Sequence, residues 1–373
     1  MTQIEGKEKQ IMRRLLLLVV MVLAFSGLLF GQRKRHRNSA PSITSPSTAT
    51  FVAGIANAFS VVAKGNPVPT IKMTTGFPLP SGVTLNGTTL TATSTVAPIT
   101  IAIQFTASNG VLPNAVQNFT LTVAPAPPPG LLWQPSSQSP IRWEWLLSSP
   151  PAASSLLKNI DVYDVDGFDS SAALVSAMHA ESIHAICYID AGTWENWRSD
   201  AGSFPASVQG ANNGWPGEKW LDIRQISVLA PIMTARFQMC KNKGFDAVEP
   251  DNIDGYSNST GFPLKATDQI AYNTWIATTV HGLGMSVALK NDGDQIATLL
   301  PFFDFDINEQ CVQYSECAML KPFVIAGKAV FETEYSGNQV NAQTTSACSQ
   351  LATLNFNGIE TDLNLDETAL QCR

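Results

Sequence analysis

The chain of 373 residues is long enough for two domains, and its content of 45% hydrophobic and 14% charged residues is typical of folded protein. The charge is unevenly distributed. Residues 41–123 contain no Asp or Glu, whereas residues 124–373 contain 28 of them against 13 Lys or Arg, a net charge of −15. Such an acidic surface argues against nucleic acid as a partner.

The N-terminal segment, residues 1–37, has the features of a secretory signal. Arg13 and Arg14 precede a 16-residue apolar run at 15–30, and a basic cluster follows at 33–37. A membrane span usually needs about 20 apolar residues, so a signal peptide is the first expectation and an uncleaved anchor at 15–30 is the alternative. Both predict an exported protein that is secreted, periplasmic or held at the cell surface.

Six cysteines in an exported chain favour disulfides. The two pairings that sequence proximity favours are Cys311 with Cys317 and Cys348 with Cys372. Cys187 lies in an apolar strand and Cys240 in a helical segment, so buried thiols and a bridge remain equal alternatives there. The chain has no C-x-x-C pair and only four scattered His, which argues against a zinc site.

A Ser/Pro/Thr-rich spacer is predicted at 38–50, and the module at 41–123 consists of short β-branched runs separated by turn residues. The predicted strands are 51–63, 69–73, 88–92, 100–107 and 117–123. Strands at this spacing without a helix signal predict a small β-sandwich. The segments 65–71, 79–85, 105–110 and 119–123 resemble the immunoglobulin-like modules of bacterial surface proteins. A spacer role is favoured for this module over a sugar-binding or adhesive one.

A Pro-rich linker at 124–130 separates this module from residues 131–373, where strand-like and helical runs alternate. The predicted strands are 142–146, 159–165, 184–190, 245–251, 285–291, 303–309, 328–334 and 358–363. The helices predicted between them are 172–180, 228–241, 269–281, 294–302 and 318–326. Eight strands alternating with helices predict a (β/α)8 TIM barrel.

Several of these strands end in polar residues, and the C-terminal ends of barrel strands form the mouth where TIM-barrel active sites lie. In the stretch 244–255, strand alternation places Glu249 and Asp251 on one face, with Asp251 nearest the mouth. The other polar strand ends are Asp164, Asp166, Tyr188, Asp190, Lys290, Asn291, Asn308, Glu309, Glu332 and Glu334. Any one carboxylate could simply pair with a Lys or Arg, so their convergence is the evidence for a site.

These strand ends also carry a family resemblance. The segments that carry it are 164–169, 186–200, 217–224, 248–254, 289–292 and 308–317, with the motifs Glu249-Pro250-Asp251-Asn252 and Asn308-Glu309-Gln310-Cys311. From about Trp133 to the C-terminus the chain resembles glycoside hydrolase family 114, the endo-α-1,4-polygalactosaminidases. The resemblance implies a TIM-barrel hydrolase of galactosamine-containing polysaccharide that requires no cofactor and no metal.

The resemblance places the catalytic carboxylates at Asp251 and Glu309. Glycoside hydrolysis uses two carboxylates, which a retaining enzyme holds about 5–5.5 Å apart. We expect Asp251 to be the nucleophile and Glu309 the acid/base, with Lys290 and Asn252 stabilising Asp251. Glu249 is the rival carboxylate, ranked as a supporting residue that orients Lys290 or Asp251.

The remaining predicted substrate contacts are Asp166, Tyr188, Asp190, Trp194, Glu195, Asn291 and Glu334. Trp143, Trp145 and Trp215, like Trp194, could stack on sugars, although packing is the more frequent role of tryptophan. An acidic barrel attracts the ammonium groups of deacetylated galactosamine and disfavours uronic acids, so a cationic galactosaminoglycan is the expected substrate.

Two alternatives remain open at this point. One is a catalytically silent surface protein that binds glycans, although such a protein has no need of both carboxylates. The other is a hydrolase of a different α-glycan on the same barrel. The sequence leaves open the degree of acetylation of the substrate and whether cleavage is endo or exo.

Overall fold

The computed structural model describes residues 38–53, 57–74, 76, 78–92, 97–124, 132–335, 344–366 and 369–372. The predicted signal or anchor at 1–37 lies outside the described residues, as does the predicted linker apart from Ala124. In the described part of the chain, no helix has both the length and the apolarity needed to span a membrane.

The N-terminal region is all β. A four-stranded sheet has the order β2-β9-β8-β5, a three-stranded sheet the order β3-β7-β6, and β1 pairs with β4. Phe51, Phe59, Leu90, Phe105 and Phe119 form the apolar core that both larger sheets share. The strands are β1 (Ser39–Ile43), β2 (Thr48–Val52), β3 (Asn57–Ser60), β4 (Ala63–Asn66), β5 (Thr70–Met73), β6 (Val83–Asn86), β7 (Thr89–Ala92), β8 (Ile99–Ser108) and β9 (Ala115–Ala124).

Two sequence predictions fail in this region. The predicted spacer at 38–50 contains β1 and the start of β2, because the Ser/Thr residues there pair with neighbouring strands. The predicted single strand 51–63 is divided among β2, β3 and the first residue of β4. The Asn57 side chain accepts a hydrogen bond from Val52 N at 2.9 Å and donates one to Val52 O at 2.7 Å, which joins the end of β2 to the start of β3.

The C-terminal region is a nearly closed barrel, and all eight predicted strands are confirmed to within three residues at each end. They form one parallel ladder in sequence order. The strands are β10 (Trp143–Leu146), β11 (Val162–Asp166), β12 (His184–Asp190), β16 (Ala247–Asp251), β17 (Ser286–Lys290), β18 (Phe305–Glu309), β19 (Val330–Tyr335) and β20 (Asn357–Thr361).

A short ninth strand, β21 (Leu370–Gln371), is the last strand of the barrel sheet and pairs antiparallel with β20. The Gln371 side chain accepts from Trp143 N at 3.1 Å and donates to Trp143 O at 2.7 Å, so it replaces a backbone ladder between β21 and β10. The Trp143 indole N–H donates to Asn357 O at 2.8 Å across the same gap. Side chains therefore close the barrel where backbone pairing stops.

The helices cover the outside of the barrel, and two of the predicted helices are shorter than expected. The segment 294–302 has a 3-10 turn and four helical residues, and 318–326 has a turn followed by five. The helices are α1 (Ala172–Ala180), α2 (Ile226–Lys243), α3 (Ala266–Gly282), α4 (Ile296–Leu299), α5 (Cys311–Tyr314), α6 (Lys321–Ile325) and α7 (Thr344–Thr353). A small antiparallel sheet, β13 (Thr193–Glu195), β15 (Glu218–Leu221) and β14 (Gln209–Asn212), follows β12 at the mouth.

The six cysteines form three disulfides. The predicted pairs Cys311–Cys317 and Cys348–Cys372 are confirmed, and Cys187 on β12 is bridged to Cys240 on α2. The question that the sequence left open for Cys187 is thus answered by the packing of α2 on the outer face of β12. The Cys311–Cys317 bridge closes the loop that directly follows β18.

Candidate active site

Asp251, Lys290 and Glu309 are the last residues of the adjacent strands β16, β17 and β18. Ala247, Ala288 and Ile307, on the same strands, lie in the apolar cluster that fills the barrel interior. Because side chains alternate along a strand, the three polar residues point inward above this cluster. The Asp251 and Glu309 side chains are 19% and 25% exposed, so a substrate in the mouth can reach both.

The Lys290 ammonium lies at the centre of three carboxylates. Its Nζ is 2.8 Å from Glu249 Oε1, 3.1 Å from Asp251 Oδ1 and 3.3 Å from Glu309 Oε2. Burial alone would lower the pKa of Lys290, but the charges of Asp251, Glu249 and Glu309 outweigh it and hold that pKa well above its usual value. Since Asp251 Oδ1 and Glu309 Oε2 share this neighbour, those two oxygens are at most 6.4 Å apart.

Glu249 lies one pleat below Asp251 and is fully buried. Its carboxylate accepts from Lys290 Nζ at 2.8 Å and from the Trp145 indole N–H at 3.1 Å. Burial, followed by the neighbouring charge of Glu249, raises the pKa of Asp164 well above its usual value. Glu249 therefore contacts Lys290 from below, and its supporting role remains a prediction.

Asp251 and Glu309 each also accept a hydrogen bond from a tyrosine. Tyr188 OH donates to Asp251 Oδ2 at 2.8 Å, and Tyr335 OH donates to Glu309 Oε1. The Asn291 amide donates to Glu309 Oε2 at 2.8 Å. Burial raises the pKa of Tyr188 and of Tyr335, and the neighbouring carboxylates raise them further, so both hydroxyls keep their protons.

The chain turns sharply after each of these three strands. Asn252, Asn291 and Gln310, which directly follow Asp251, Lys290 and Glu309, have φ values of 58°, 57° and 61°. A positive φ is uncommon outside glycine, and Asn tolerates it best among the other residues. The turn after β16 places Asn252 N 2.8 Å from Asp251 Oδ1, where it donates. Local backbone strain of this kind is concentrated at functional sites.

Asp190, predicted to contact substrate, lies beneath Asn252 and is buried. Its Oδ2 accepts from Asn252 Nδ2 at 2.9 Å, and its Oδ1 accepts from Thr193 N at 2.7 Å. Gly192 packs so closely here that an added Cβ would lie 1.7 Å from Asn252 O. Asp190 therefore positions Asn252, which in turn contacts Asp251.

Asp166 and Glu195 line the wall of the mouth, where Arg198 joins them. Arg198 donates to Asp166 through two nitrogens at 3.0 and 2.6 Å and to Glu195 at 2.8 Å. Arg236 lies 3.5 Å from Glu195 on the other side. Burial raises the pKa of Glu195 to about 7 despite both arginines. These ion pairs brace the loop after β12.

Three aromatic or acidic candidates are placed differently from the prediction. Glu334 faces outward from β19 and is buried, where its Oε1 accepts from Val312 N at 2.7 Å at the start of α5. Trp143 is completely buried in the barrel interior. The Trp194 indole N–H donates to Ala201 O at 3.0 Å, and Trp194 does not line the mouth. These positions favour packing and positioning roles for all three.

The mouth of the barrel is a cleft of about 590 Å³ that contains Asp251 and Glu309. Its lining has seven carboxylates against Arg198 and Lys290, both of which are already ion-paired. The seven are Asp166, Asp169, Glu195, Glu218, Asp251, Asp254 and Glu309. Trp197 and Trp215 line the same cleft and are 53% and 55% exposed, so their ring faces are available to a sugar.

Among the described residues of the cleft wall, one group of side chains has the spacing of a possible metal site. Asp190, Glu195 and Glu218 each place a carboxylate oxygen within 4.8 Å of the others. Asp190 already accepts four hydrogen bonds, and Glu195 is paired with two arginines. Hydrogen bonds thus satisfy the Asp190 oxygens and two arginines compensate the charge of Glu195, so the geometry does not require a metal there.

Comparison with known proteins identifies this barrel. A family model described as glycoside-hydrolase family GH114 matches residues 122–373, more than half of the chain. The chain belongs to this family. It is therefore a glycosidase, and the paired carboxylates in the mouth are the chemistry that such an enzyme needs.

Solved structures agree with the GH114 assignment. Ega3 of Aspergillus fumigatus, solved in complex with galactosamine, is 34% identical with a TM-score of 0.60, and the match covers 64% of this chain and 97% of Ega3. The glycoside hydrolase domain of PelA from Pseudomonas aeruginosa has a TM-score of 0.51 at 12% identity, over 62% of this chain and 98% of that domain, which supports the fold alone. No curated protein matches the chain.

The GH114 site includes residues that the sequence prediction missed. Tyr335, Trp197, Glu218 and Asp254 all line the cleft beside the predicted residues. Tyr335 directly follows Glu334, and a shift of one residue reverses the face on which a strand residue lies. The sequence could have indicated Tyr335, because it is the last residue of β19 just as Asp251 and Glu309 are the last residues of their strands.

Proposed function

We propose that this chain is an exported, endo-acting and retaining hydrolase of α-1,4-linked galactosamine or N-acetylgalactosamine polysaccharide. The observation that carries the proposal is the Asp251–Lys290–Glu309 arrangement at the mouth of a GH114 barrel. The oxygens of Asp251 and Glu309 that contact Lys290 are at most 6.4 Å apart. Retaining glycosidases hold their carboxyl groups about 5–5.5 Å apart, and inverting enzymes about 6.5–9.5 Å.

In the proposed mechanism Asp251 attacks the anomeric carbon while the glycosidic C–O bond breaks. Glu309 gives its proton to the leaving oxygen, and a glycosyl ester of Asp251 forms. Glu309 then takes a proton from water, the water oxygen attacks the anomeric carbon, and Asp251 is released as a carboxylate. Asn252 N and Tyr188 OH donate to Asp251, and the Lys290 ammonium lies 3.1 Å from its Oδ1, so these groups hold the carboxylate in place for the first step.

The charge of the cleft supports a cationic substrate. Seven carboxylates line it, and both lining cations are paired. A sugar that carries an ammonium group would meet compensating charge there, and a uronic acid would meet repulsion. Galactosamine is the ligand in the Ega3 structure that this chain resembles at 34% identity, which is consistent with the same sugar class here.

Export and the role of the N-terminal region belong to the same proposal. The signal-like segment at 1–37 and three disulfides in one chain favour an oxidising compartment. We assign the β region at 39–124 to the immunoglobulin-like class because its two sheets share one apolar core, with β2 parallel to β9. Its role in this proposal is that of a spacer carrying the hydrolase.

The test is hydrolysis of partially deacetylated α-1,4-galactosaminan by the purified chain, with the products followed by mass spectrometry. Internal cleavage gives a ladder of oligosaccharides, whereas exo cleavage gives only monosaccharide or disaccharide. Retention is read from the first anomer seen by proton NMR. Absence of cleavage for this polymer and its fully acetylated form, with cleavage of another α-glycan, would contradict the substrate assignment.

The roles of the two carboxylates are separable by chemical rescue. We expect Asp251→Gly to regain activity with azide and to yield the β-glycosyl azide, because azide replaces the nucleophile from the opposite face. Glu309→Ala should yield the α-glycosyl azide and should retain activity on substrates with a good leaving group. Undiminished activity of either variant on the polymer without azide would refute the pair. Binding without cleavage by the wild-type chain would favour a glycan-binding protein.

A further inference from the structure

A second acidic cavity lies beside the cleft, between the loops that follow β16, β17 and β18. It has a volume of about 170 Å³, and Asp254 and Asn291 line both it and the main cleft. The two spaces are therefore neighbours at the mouth. Among the described residues that line this cavity, called here the loop pocket, none is a Lys or Arg. Its lining is Asp254, Tyr256, Ser257, Asn291, Asp292, Gly293, Asp294, Asn308, Glu316, Met319 and Leu320.

In the described part of the chain, two buried oxygens of the loop pocket have no hydrogen-bond donor. Asp292 is 3% exposed and Asn308 is 8% exposed. Asp292 Oδ2 accepts from Asn273 Nδ2 at 2.9 Å, whereas Asp292 Oδ1 and Asn308 Oδ1 have no hydrogen-bond partner among the described residues. Buried polar atoms are satisfied in the great majority of cases, so two exceptions on one wall point to a missing donor.

The acidic residues of the loop pocket indicate that the missing hydrogen-bond donor is positively charged. Burial, with further contributions from Asp254 and Asp294, raises the pKa of Asp292 to about 8. The Tyr256 hydroxyl is close enough to this carboxylate to lower its pKa, but it makes no hydrogen bond to Asp292 Oδ1. A positively charged donor would replace the proton on Asp292 and compensate the surrounding acids.

The spacing of the carboxylates favours an organic cation over a metal. A calcium ion needs six to eight oxygens at about 2.3–2.6 Å. No three of the acids Asp254, Asp292, Asp294 and Glu316 place carboxylate oxygens within 4.8 Å of one another. The cavity also exceeds by several-fold the roughly 30 Å³ that one water occupies in the liquid. Its apolar Met319 and Leu320 would suit the carbon atoms of a sugar ring.

We propose that the loop pocket binds the ammonium group of an amino-sugar residue in the substrate chain, outside the position that is cleaved. Asp292 Oδ1 and Asn308 Oδ1 accept its N–H groups, and Asp254 and Asp294 supply further negative charge. This inference rests on the proposed function, since it assigns a deacetylated residue to a second position of the same substrate. The pocket would make the enzyme select the acetylation pattern beside the cleavage site.

The experiment compares Asp292→Asn and Asp294→Asn with the wild-type chain. The substrates are α-1,4-galactosamine oligomers that are fully deacetylated or fully N-acetylated. We expect each variant to raise KM for the deacetylated oligomer, by about tenfold for Asp292→Asn, the scale of a charge-assisted hydrogen bond. The kcat values and the KM for the acetylated oligomer should not change. Glu181→Gln, an exposed acid at the end of α1, is the matched control.

Failure of this inference is distinct from failure of the proposed function. If the wild type cleaves the deacetylated oligomer and neither variant changes KM, the loop pocket has no role in recognition. If the wild type cleaves neither oligomer, calorimetric titration of the wild type and of Asp292→Asn with galactosamine still shows whether the loop pocket binds the sugar. Loss of one binding site in Asp292→Asn supports the pocket, and an unchanged number of sites overturns it. A calcium titration in which Asp292 alone governs affinity, with no galactosamine site lost, would overturn the ammonium assignment in favour of a metal.

Discussion

Replacing Lys290 with Met removes a side chain that contacts Glu249, Asp251 and Glu309, the three inward carboxylates of β16 and β18. Lys290 is 1% exposed, and its Nζ is 2.8 Å from Glu249, which is itself fully buried. At that distance and an effective dielectric constant of about 20, the gross attraction is about 6 kcal/mol. Measured costs of removing one partner of a buried pair are about 3–5 kcal/mol, because the remaining charge stays buried.

We therefore expect Lys290→Met to lower Tm by roughly 10 °C, using about 2–4 °C per kcal/mol for a domain of this size. We also expect kcat to fall by about 10²–10³, since Lys290 is 3.1 Å from Asp251 and 3.3 Å from Glu309. Tm is measured by calorimetry, and kcat is measured on the polymer below the melting range.

The double variant Lys290→Met/Glu249→Gln separates the two effects. Neutralising Glu249 removes the uncompensated buried charge, so Tm should recover, whereas kcat should stay low because Asp251 and Glu309 still lack their cation. A double-mutant cycle gives the coupling energy directly. Lys328→Met is the control, since Lys328 donates to backbone carbonyls at 2.7 and 2.5 Å and has no part in the cleft. Unchanged Tm and kcat in Lys290→Met, or recovery of both in the double variant, would refute the reasoning.

Three further predictions concern other contacts. Tyr335→Phe removes the donor to Glu309 and should lower kcat by about tenfold to a hundredfold with little change in Tm, as steady-state kinetics would measure. Gly192→Ala adds a Cβ at 1.7 Å from Asn252 O, which must displace the turn after β16, so both activity and Tm should fall. The pKa of Asp304 is lowered despite burial, because a buried histidine and backbone and side-chain donors contact its carboxylate. Asp304 should therefore stabilise the fold above about pH 4. That contribution should be lost as pH falls through its lowered pKa, and Asp304→Asn should flatten the acid limb of Tm against pH.

Matched controls exist for the first two of these changes. Tyr314 is 59% exposed and does not line the cleft, so Tyr314→Phe should leave kcat unchanged. A Cβ on Gly202 would meet open space, so Gly202→Ala should have little effect on activity. Equal losses in a control and in the corresponding test variant would remove the contact as the explanation.

The sequence by itself determined the strand pattern of the barrel and the position of Asp251 and Glu309 at the ends of two strands. Eight apolar runs separated by helical stretches locate the parallel strands, because period and length are local properties. The acidic end of β16 and the motif at the end of β18 place Asp251 and Glu309 at the mouth, since all parallel strands end on one side. The two short-range disulfides also follow from sequence proximity.

Only the tertiary structure decided which polar residues face the cleft. Parallel barrel strands are buried on both faces, so hydrophobic alternation does not indicate which residues point inward. On β19 this choice puts Tyr335 against Glu309 and turns Glu334 toward the start of α5. The bridge between Cys187 and Cys240, the support of Asn252 by Asp190 and the loop pocket likewise depend on how separate segments pack. These features join residues that are distant in sequence, and their contacts exist only once the barrel has closed.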